Sequence, residues 1–142
     1  MLIVGIIGPY FSGGNRRLID HNIANAQYVG IQIANHFRES RTVGFFIPHT
    51  HTAHFEVLAQ APETFYHILD DTIYDKACDG YVLLPGWQES SGSRRDYERA
   101  AHRTKPVIFE LKSYEESDVQ KLLHGLEQWA INLANTINYQ YP

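Results

Sequence analysis

Two polar segments of the sequence concentrate the residue types that could do chemistry. The first, GPYFSGGNRR, covers residues 8–17 and joins three glycines to two adjacent arginines. The second, PGWQESSGSRRDYE, covers residues 85–98 and joins three serines to two arginines and three acids. Free backbone N–H groups and arginines ahead of a helix favour an anion such as phosphate. Both segments are candidate anion-binding turns, although the first alone is equally typical of a flexible surface turn.

The acids that could act beside these turns fall into two groups. Asp96 and Glu98 belong to the second segment, where the pattern predicts a helix from about Ser93 and puts Asp96 in its first turn. Ser93 and Asp96 in those positions would also form an ordinary helix cap. Asp70 and Asp71 lie among apolar residues of a predicted helix, where acids are either solvent-facing or functional.

Aromatic residues and histidines flank the same region. Aromatic rings at the ends of strands could stack on a base or a sugar, or could close the core: Tyr10, Phe11 and Trp87. Three histidines have the spacing i, i+2, i+5, which matches no strong metal-ligand pattern: His49, His51 and His54. We therefore expect no metal, although one of these histidines could still lie near a site.

Short apolar runs alternate with helical patterns along the chain. Strands are predicted at 2–8, 43–47, 80–84 and 106–111. Helices are predicted at 18–37, at 62–78, at about 93–103 and after Ser113. Ser113 and Glu116 resemble a capping box at the start of the last helix. A loop with a helical turn is expected at 49–60. This alternation favours a doubly wound, flavodoxin- or Rossmann-like α/β fold, a three-layer sandwich with a parallel sheet of four to five strands. Both polar segments then follow strands on one rim, where such sheets bind ligands.

Chain length, net charge and cysteine content further limit the class of protein to which the chain can belong. A chain of 142 residues predicts a single domain, residues 1–142. A net charge of −4 argues against long nucleic acid as a partner. The only cysteine, Cys78, allows no intrachain disulfide and suits a cytoplasmic location. The apolar start lacks a basic region and a cleavage site and is too short to span a bilayer, so no membrane partner is expected.

Several of these motifs, in this order, resemble the nucleoside 2-deoxyribosyltransferase-like superfamily. The matching features are GPYFSGGNRR, an Asp71–Asp79 pair eight residues apart, GYVLLPGW at 80–87 and SSGSRRDYERA at 90–100. The superfamily includes nucleoside deoxyribosyltransferases, nucleoside 5′-monophosphate N-glycosidases and many uncharacterised bacterial and phage proteins, and the chain is most similar to that last branch. The resemblance covers about residues 3–110.

The resemblance implies an enzyme that cleaves or transfers at the N-glycosidic bond of a small nucleoside or nucleotide, without a cofactor, in a homodimer or larger assembly. It implies that Asp96 stands at the nucleophile position and that Asp71 contacts the base or assists its departure. It implies a binding loop at 12–17 and a Ser-x-Gly element, with these candidate substrate-binding residues: Gly8, Tyr10, Phe11, Ser12, Gly13, Gly14, Asn15, Arg16, Arg17, Trp87, Ser90 and Gly92. The paired arginines favour a nucleotide over a bare nucleoside.

One departure from the family pattern leaves alternatives open. Asp96 stands where the family has Glu, and its shorter side chain falls about 1 Å short, a displacement that can cost ~10²-fold in rate. Either the pocket is tighter, or Glu98 has taken over the role of nucleophile, or catalysis is lost and the chain is a nucleotide-binding module. A flavin or signalling domain is a further alternative. The LPGWQESSGS stretch also echoes a phosphoribohydrolase motif, and the tail NTINYQYP at 135–142 could reach a partner's site.

Overall fold

Four strands and six α-helices make up the part of the chain that the structure describes. The structure, a computed structural model, describes residues 1–140, and for Glu56 and residues 137–140 only the backbone. The strands are β1 (Leu2–Ile7), β2 (Val43–Phe46), β3 (Gly80–Leu83) and β4 (Val107–Glu110). The helices are α1 (Arg16–Phe37), α2 (Pro48–His51), α3 (Phe55–Leu58), α4 (Glu63–Ala77), α5 (Ser91–His102) and α6 (Glu116–Gln140). The predicted role of the tail at 135–142 falls mostly outside the described side chains.

The strands form one sheet in the order β2-β1-β3-β4, and all neighbouring strands are parallel. The chain passes from β1 to β2 on one side and later to β3 on the other side, so the strand order reverses between β1 and β3. The four strands confirm the predicted parallel sheet. None of the helices within residues 1–140 combines the length and hydropathy that a bilayer-spanning segment requires.

Helices cover both faces of the sheet, which confirms the three-layer arrangement. Successive strand residues point to opposite faces, so both faces must be apolar when both are covered. One core packs strand residues against α1 and α6, with members that include Val4, Ile6, Val82, Ala26, Val29, Ile33, Leu122 and Leu126. The other packs strand residues against α4 and α5, and it contains Ile7, Tyr74, Cys78, Tyr81, Leu83 and Ala100.

Side-chain caps move two helix starts away from their predicted positions. Asn15 accepts a hydrogen bond from the backbone N–H of Leu18, so α1 begins at Arg16 instead of residue 18. Ser90 accepts a hydrogen bond from the backbone N–H of Ser93, so α5 begins at Ser91. The prediction of Ser93 as the cap, with Asp96 in the first turn, is therefore wrong. Asp96 lies in the second turn of α5.

Two other local predictions need correction. The segment predicted as loop with a helical turn holds two short helices, α2 and α3. At the start of α6, the Ser113 hydroxyl accepts from the Glu115 N–H at 3.2 Å and donates to Asp118 Oδ2 at 2.8 Å. Ser113 is thus paired with Asp118, and not with Glu116 as the capping-box pattern predicts, because α6 begins only at Glu116.

Candidate functional site

A cavity of about 300 Å³ is walled by the segments that follow β1 and β2 and by one face of α4. This volume is at the lower end of the range for small-molecule sites. Its walls are largely apolar and aromatic, and the polar side chains among them belong mainly to α4. The lining residues are Tyr10, Phe11, Pro48, His49, Thr52, Phe55, Ala61, Glu63, Tyr66, His67 and Asp70. Of the predicted substrate-binding residues, Tyr10 and Phe11 line this cavity.

A buried histidine fixes one wall of the cavity to the end of β1. Nε2 of His49 lies 2.9 Å from the carbonyl oxygen of Gly8 and 2.7 Å from that of Pro9. Because carbonyl oxygens only accept hydrogen bonds, Nε2 must carry the proton. Burial lowers the pKa of His49, so the ring is neutral at pH 7. His49 thereby holds α2 against the β1 loop, and Gly8 contributes its carbonyl to that contact.

The first polar segment forms a tight turn that α1 and the α3 region stabilise. Ser12, Gly13 and Gly14 all have positive φ values of 45°, 65° and 79°, a backbone conformation that favours glycine. The amide of Asn22 donates to the Tyr10 carbonyl at 3.1 Å and to the Ser12 hydroxyl at 2.9 Å. The Tyr10 hydroxyl accepts from the backbone N–H of His54 at 2.9 Å. These bonds set the position of the Tyr10 and Phe11 rings at the cavity wall.

The two arginines of this segment lie outside the cavity. Arg16 and Arg17 are exposed, and Arg16 forms an ion pair with Asp20 at 3.3 Å. Asp20 also lies 3.2 Å from Nε2 of His54. Among the described residues that line the cavity, none is a lysine or an arginine. A phosphate bound by this loop would therefore sit outside the cavity mouth, and that role of the loop stays a prediction.

Two carboxyl groups, that of Asp70 on the cavity wall and that of Asp96 on α5, disfavour ionisation. Burial raises the pKa of Asp70 to about 6, and the charge of Asp96 acts in the same direction while Arg95 opposes it. Burial also raises the pKa of Asp96, against the hydrogen bond from Arg95. Nη2 and Nε of Arg95 donate to Asp96 Oδ1 at 2.7 and 3.2 Å. Two carboxyls in different environments, one of them acting on the pKa of the other, can divide the roles of acid and base between them.

Asp71, the acid that the family resemblance selects, has different surroundings from Asp70. It is buried and forms ion pairs with Arg99 and Arg103, the latter at 3.1 Å. Asp70 lines the cavity, and its Oδ1 has no hydrogen-bond partner among the described residues. The structure therefore brings Asp70 to the cavity and Asp71 to the arginines of α5.

The second polar segment does not line the cavity. The Trp87 indole N–H donates to Glu110 Oε1 at 3.3 Å, and its ring packs on Tyr97 with centroids 4.6 Å apart. Ser90 serves as the cap of α5, while Gly92 and Glu98 are exposed. Asp96 and Arg95 are the residues of this segment whose charges act on a cavity-lining residue, through their opposite effects on Asp70.

Sequence reasoning missed the polar face that α4 presents to the cavity. Glu63, Tyr66, His67 and Asp70 recur at steps of three and four, so they share one side of the helix. Nε2 of His67 lies 3.2 Å from Glu63 Oε1 along that face. The helical spacing of these four residues was the available signal that they share one face, although spacing alone does not show which face of α4 meets the cavity.

Two further points concern a possible metal site and the family of the chain. Within the described residues, no group of three or more His, Cys, Asp or Glu side chains is arranged to hold a metal ion. Comparisons of the chain with protein-family models, curated proteins and solved structures give no match. The resemblance to the nucleoside 2-deoxyribosyltransferase-like superfamily therefore stays a prediction that rests on the quoted motifs, as does the homodimer it implies.

Proposed function

We propose that this protein cleaves or transfers at the N-glycosidic bond of a nucleoside or nucleoside 5′-monophosphate. The observation that carries this proposal is a pair of carboxyls with raised pKa: Asp70, which lines an aromatic-walled cavity, and Asp96 on α5, whose charge acts on Asp70. Glycosidic bond cleavage needs a proton donor for the leaving group and a carboxylate for the cationic sugar. Two acids with different environments can meet both needs.

The aromatic walls suit a flat heterocyclic base. The rings in the lining are those of Tyr10, Phe11, Phe55 and Tyr66, and aromatic faces bind bases by stacking. With the base against the Tyr10, Phe11 and Phe55 rings, the sugar would point toward the α4 side of the cavity. Asp70 lies on that side, so it is placed to meet the atoms around the glycosidic nitrogen.

The proposed reaction proceeds through two displacements. In the first, the bond from C1′ to the base nitrogen breaks, its electron pair stays on the base, and protonated Asp70 gives its proton to the base. A carboxylate oxygen of Asp96 forms a bond to C1′ from the opposite face of the sugar. In the second, water or another base attacks C1′, the bond to Asp96 breaks, and Asp70 accepts a proton from the incoming group.

A non-catalytic nucleotide-binding module is the second candidate. Arg95 holds Oδ1 of Asp96 with two hydrogen bonds, which reduces the carboxylate's freedom to reach a sugar. Asp96 is also one methylene shorter than the family Glu. A protein that binds without reacting would keep the aromatic cavity and lose only the displacement at C1′.

The test is release of free base, measured by chromatography. Purified protein is incubated with a panel of ribo- and deoxyribonucleosides and their 5′-monophosphates. The Asp96→Asn, Asp70→Asn and Glu98→Gln variants are run in parallel, with circular dichroism to confirm that each is folded. Asp96→Glu is added to ask whether the longer side chain raises the rate.

We expect base release by the wild-type protein, loss of at least ~10²-fold in Asp96→Asn, and little change in Glu98→Gln because Glu98 is exposed. Loss in Glu98→Gln alone would move the nucleophile to that residue. No release from any substrate, together with ligand-dependent stabilisation in a thermal shift assay, would replace the enzyme proposal with the binding module.

A further inference from the structure

The ion pairs of Asp71 connect the two helices that carry the proposed acids. Asp71 on α4 pairs with Arg99 and Arg103, which lie at and just beyond the end of α5. Arg103 also pairs with Asp75, one turn further along α4. Asp71 and Arg103 are the inner members of this group, with side chains 12% and 13% exposed. The four side chains carry two negative and two positive charges, so the group is neutral.

We propose that Asp71 is a positioning residue: with Arg99 and Arg103 it fixes α4 against α5 and thereby sets the position of Asp70 relative to Asp96. This inference rests on the proposed function, since it concerns the same two acids. Asp70 is the residue next to Asp71 on α4, and Asp96 is three residues before Arg99 on α5. A shift of either helix would change the distance between the two carboxyls.

The neutrality of this group has a second consequence for Asp70. Within the described residues Asp70 makes no ion pair, although two arginines lie beside its neighbour. Asp71 and Asp75 compensate those arginines, so their charge does not stabilise an ionised Asp70. The groups that interact electrostatically with Asp70 are Asp96 and Arg95 from α5 and Tyr74 from α4. The other titratable residues that line the same cavity are Tyr10, His49, Glu63, Tyr66 and His67.

The test is an NMR titration of the Asp70 side-chain carboxyl, assigned by its absence in Asp70→Asn. Asp71→Asn leaves the two arginines with one uncompensated positive charge, so the titration midpoint of Asp70 should move below about 6. Arg99→Gln leaves one uncompensated negative charge, so the midpoint should move up. Arg99 is 45% exposed, and this variant is expected to fold.

The opposite signs separate a defined arrangement of charges beside Asp70 from general loosening of the fold, and a kinetic readout tests positioning. If the ion pairs only held the structure together, both variants would expose Asp70 and both midpoints would fall toward the ordinary aspartate value. That result, or no shift in either variant, overturns the proposal. If Asp71→Asn does not fold, Arg99→Gln decides alone: a higher midpoint supports the proposal, and an unchanged or lower midpoint overturns it.

A matched control and a kinetic readout complete the experiment. Asp75→Asn makes the same chemical change on the same helix, but its side chain is 53% exposed and one turn further from Asp70, so we expect a smaller shift. With an active substrate, Asp71→Asn should lower kcat by up to ~10²-fold and leave KM nearly unchanged. Failure of base release in the wild type would remove the proposed reaction, while the titrations would still decide whether the ion pairs of Asp71 hold a defined arrangement of charges beside Asp70.

Discussion

Asp70 and Asp71 are identical in chemistry and adjacent in sequence, yet their environments differ completely. Successive residues of a helix point about 100° apart, so one of the two faces the cavity and the other faces α5. Asp71 gains two arginine partners, whereas Asp70 is half-buried with a carboxyl oxygen that no described residue satisfies. An acid kept in such a position without a partner is typical of functional sites.

Asp70 should reduce the stability of the folded protein at neutral pH. Folding raises its pKa from 3.8 to about 6, so the folded state binds more protons than the unfolded state between these values. Stability attributable to Asp70 is therefore full below about pH 4 and is lost as the pH rises through about 6. We expect Asp70→Asn to raise the free energy of unfolding at pH 8 more than at pH 4.5, as measured by urea denaturation.

Asp118→Asn is the matched control for that measurement. Hydrogen bonds from Lys121 and Ser113 lower the pKa of Asp118, so its ionised form is favoured in the folded state. Removing this carboxylate should lower the stability at pH 8, the opposite sign from Asp70→Asn. An equal effect of Asp70→Asn at both pH values would contradict the assigned environment of Asp70.

The rate of base release should also depend on the protonation of Asp70. Because the proposed acid must carry a proton, we expect kcat/KM to decrease by about tenfold per pH unit above the pKa of about 6. The measurement is a pH profile of base release from pH 5 to 8.5, with the same profile for Asp70→Asn. A wild-type rate that stays constant over this range would exclude Asp70 as the proton donor.

At the scale of elements, the start of α5 has a structural task that competes with its predicted ligand role. Ser90 caps the helix through the Ser93 N–H. Arg94 Nη1 also donates to the carbonyl of Gln88 and ties the preceding turn to the helix. The polar residues at 88–94 are thus partly explained by helix capping, which the sequence indicated but assigned to Ser93 instead of Ser90.

Replacing the cap residue Ser90 should measurably lower the stability of the folded protein. We expect Ser90→Ala to lower the free energy of unfolding by about 1 kcal/mol, the usual effect of losing a serine cap. Ser91→Ala is the control, because Ser91 is exposed and is not the cap residue. Urea denaturation measures both. Unchanged stability together with weaker nucleotide binding in Ser90→Ala would show instead that Ser90 acts on the ligand.

At the scale of the whole molecule, the cavity and the basic loop are separate features. The described lining contains two acids, Glu63 and Asp70, and the arginines of the first loop lie outside. A nucleoside could occupy the cavity alone, whereas a 5′-phosphate would have to extend toward the loop at 12–17. Arg17 makes no ion pair among the described residues, so it is the better placed of the two arginines to meet a phosphate.

This separation predicts a selective effect of Arg17. We expect Arg17→Gln to weaken binding of a nucleoside 5′-monophosphate by about two- to fivefold at low salt and to leave the parent nucleoside unaffected. Isothermal titration calorimetry with both ligands provides the comparison. Arg38→Gln, an exposed change just past the other end of α1, is the control. Equal weakening of both ligands would argue against a phosphate site at the loop.

The alternation of strands and helices, and the sandwich that follows from it, could be predicted from the sequence alone. Apolar periodicity is a local property, and strands that are apolar on both faces and alternate with helices are typical of a parallel sheet between two helix layers. Tyr10 and Phe11 were also predictable as site residues, because they directly follow a buried strand.

Only the tertiary structure decided which acid faces the cavity and which segments form its walls. Those outcomes depend on contacts between residues far apart in sequence, such as Arg103 with Asp71, 32 positions away, and His49 with Gly8, 41 positions away. Local pattern gives a side chain its place along a helix, but the packing of that helix against its neighbours determines what the side chain meets. Asp70 and Asp71 have almost the same local pattern, and packing alone gave one a cavity and the other two arginines.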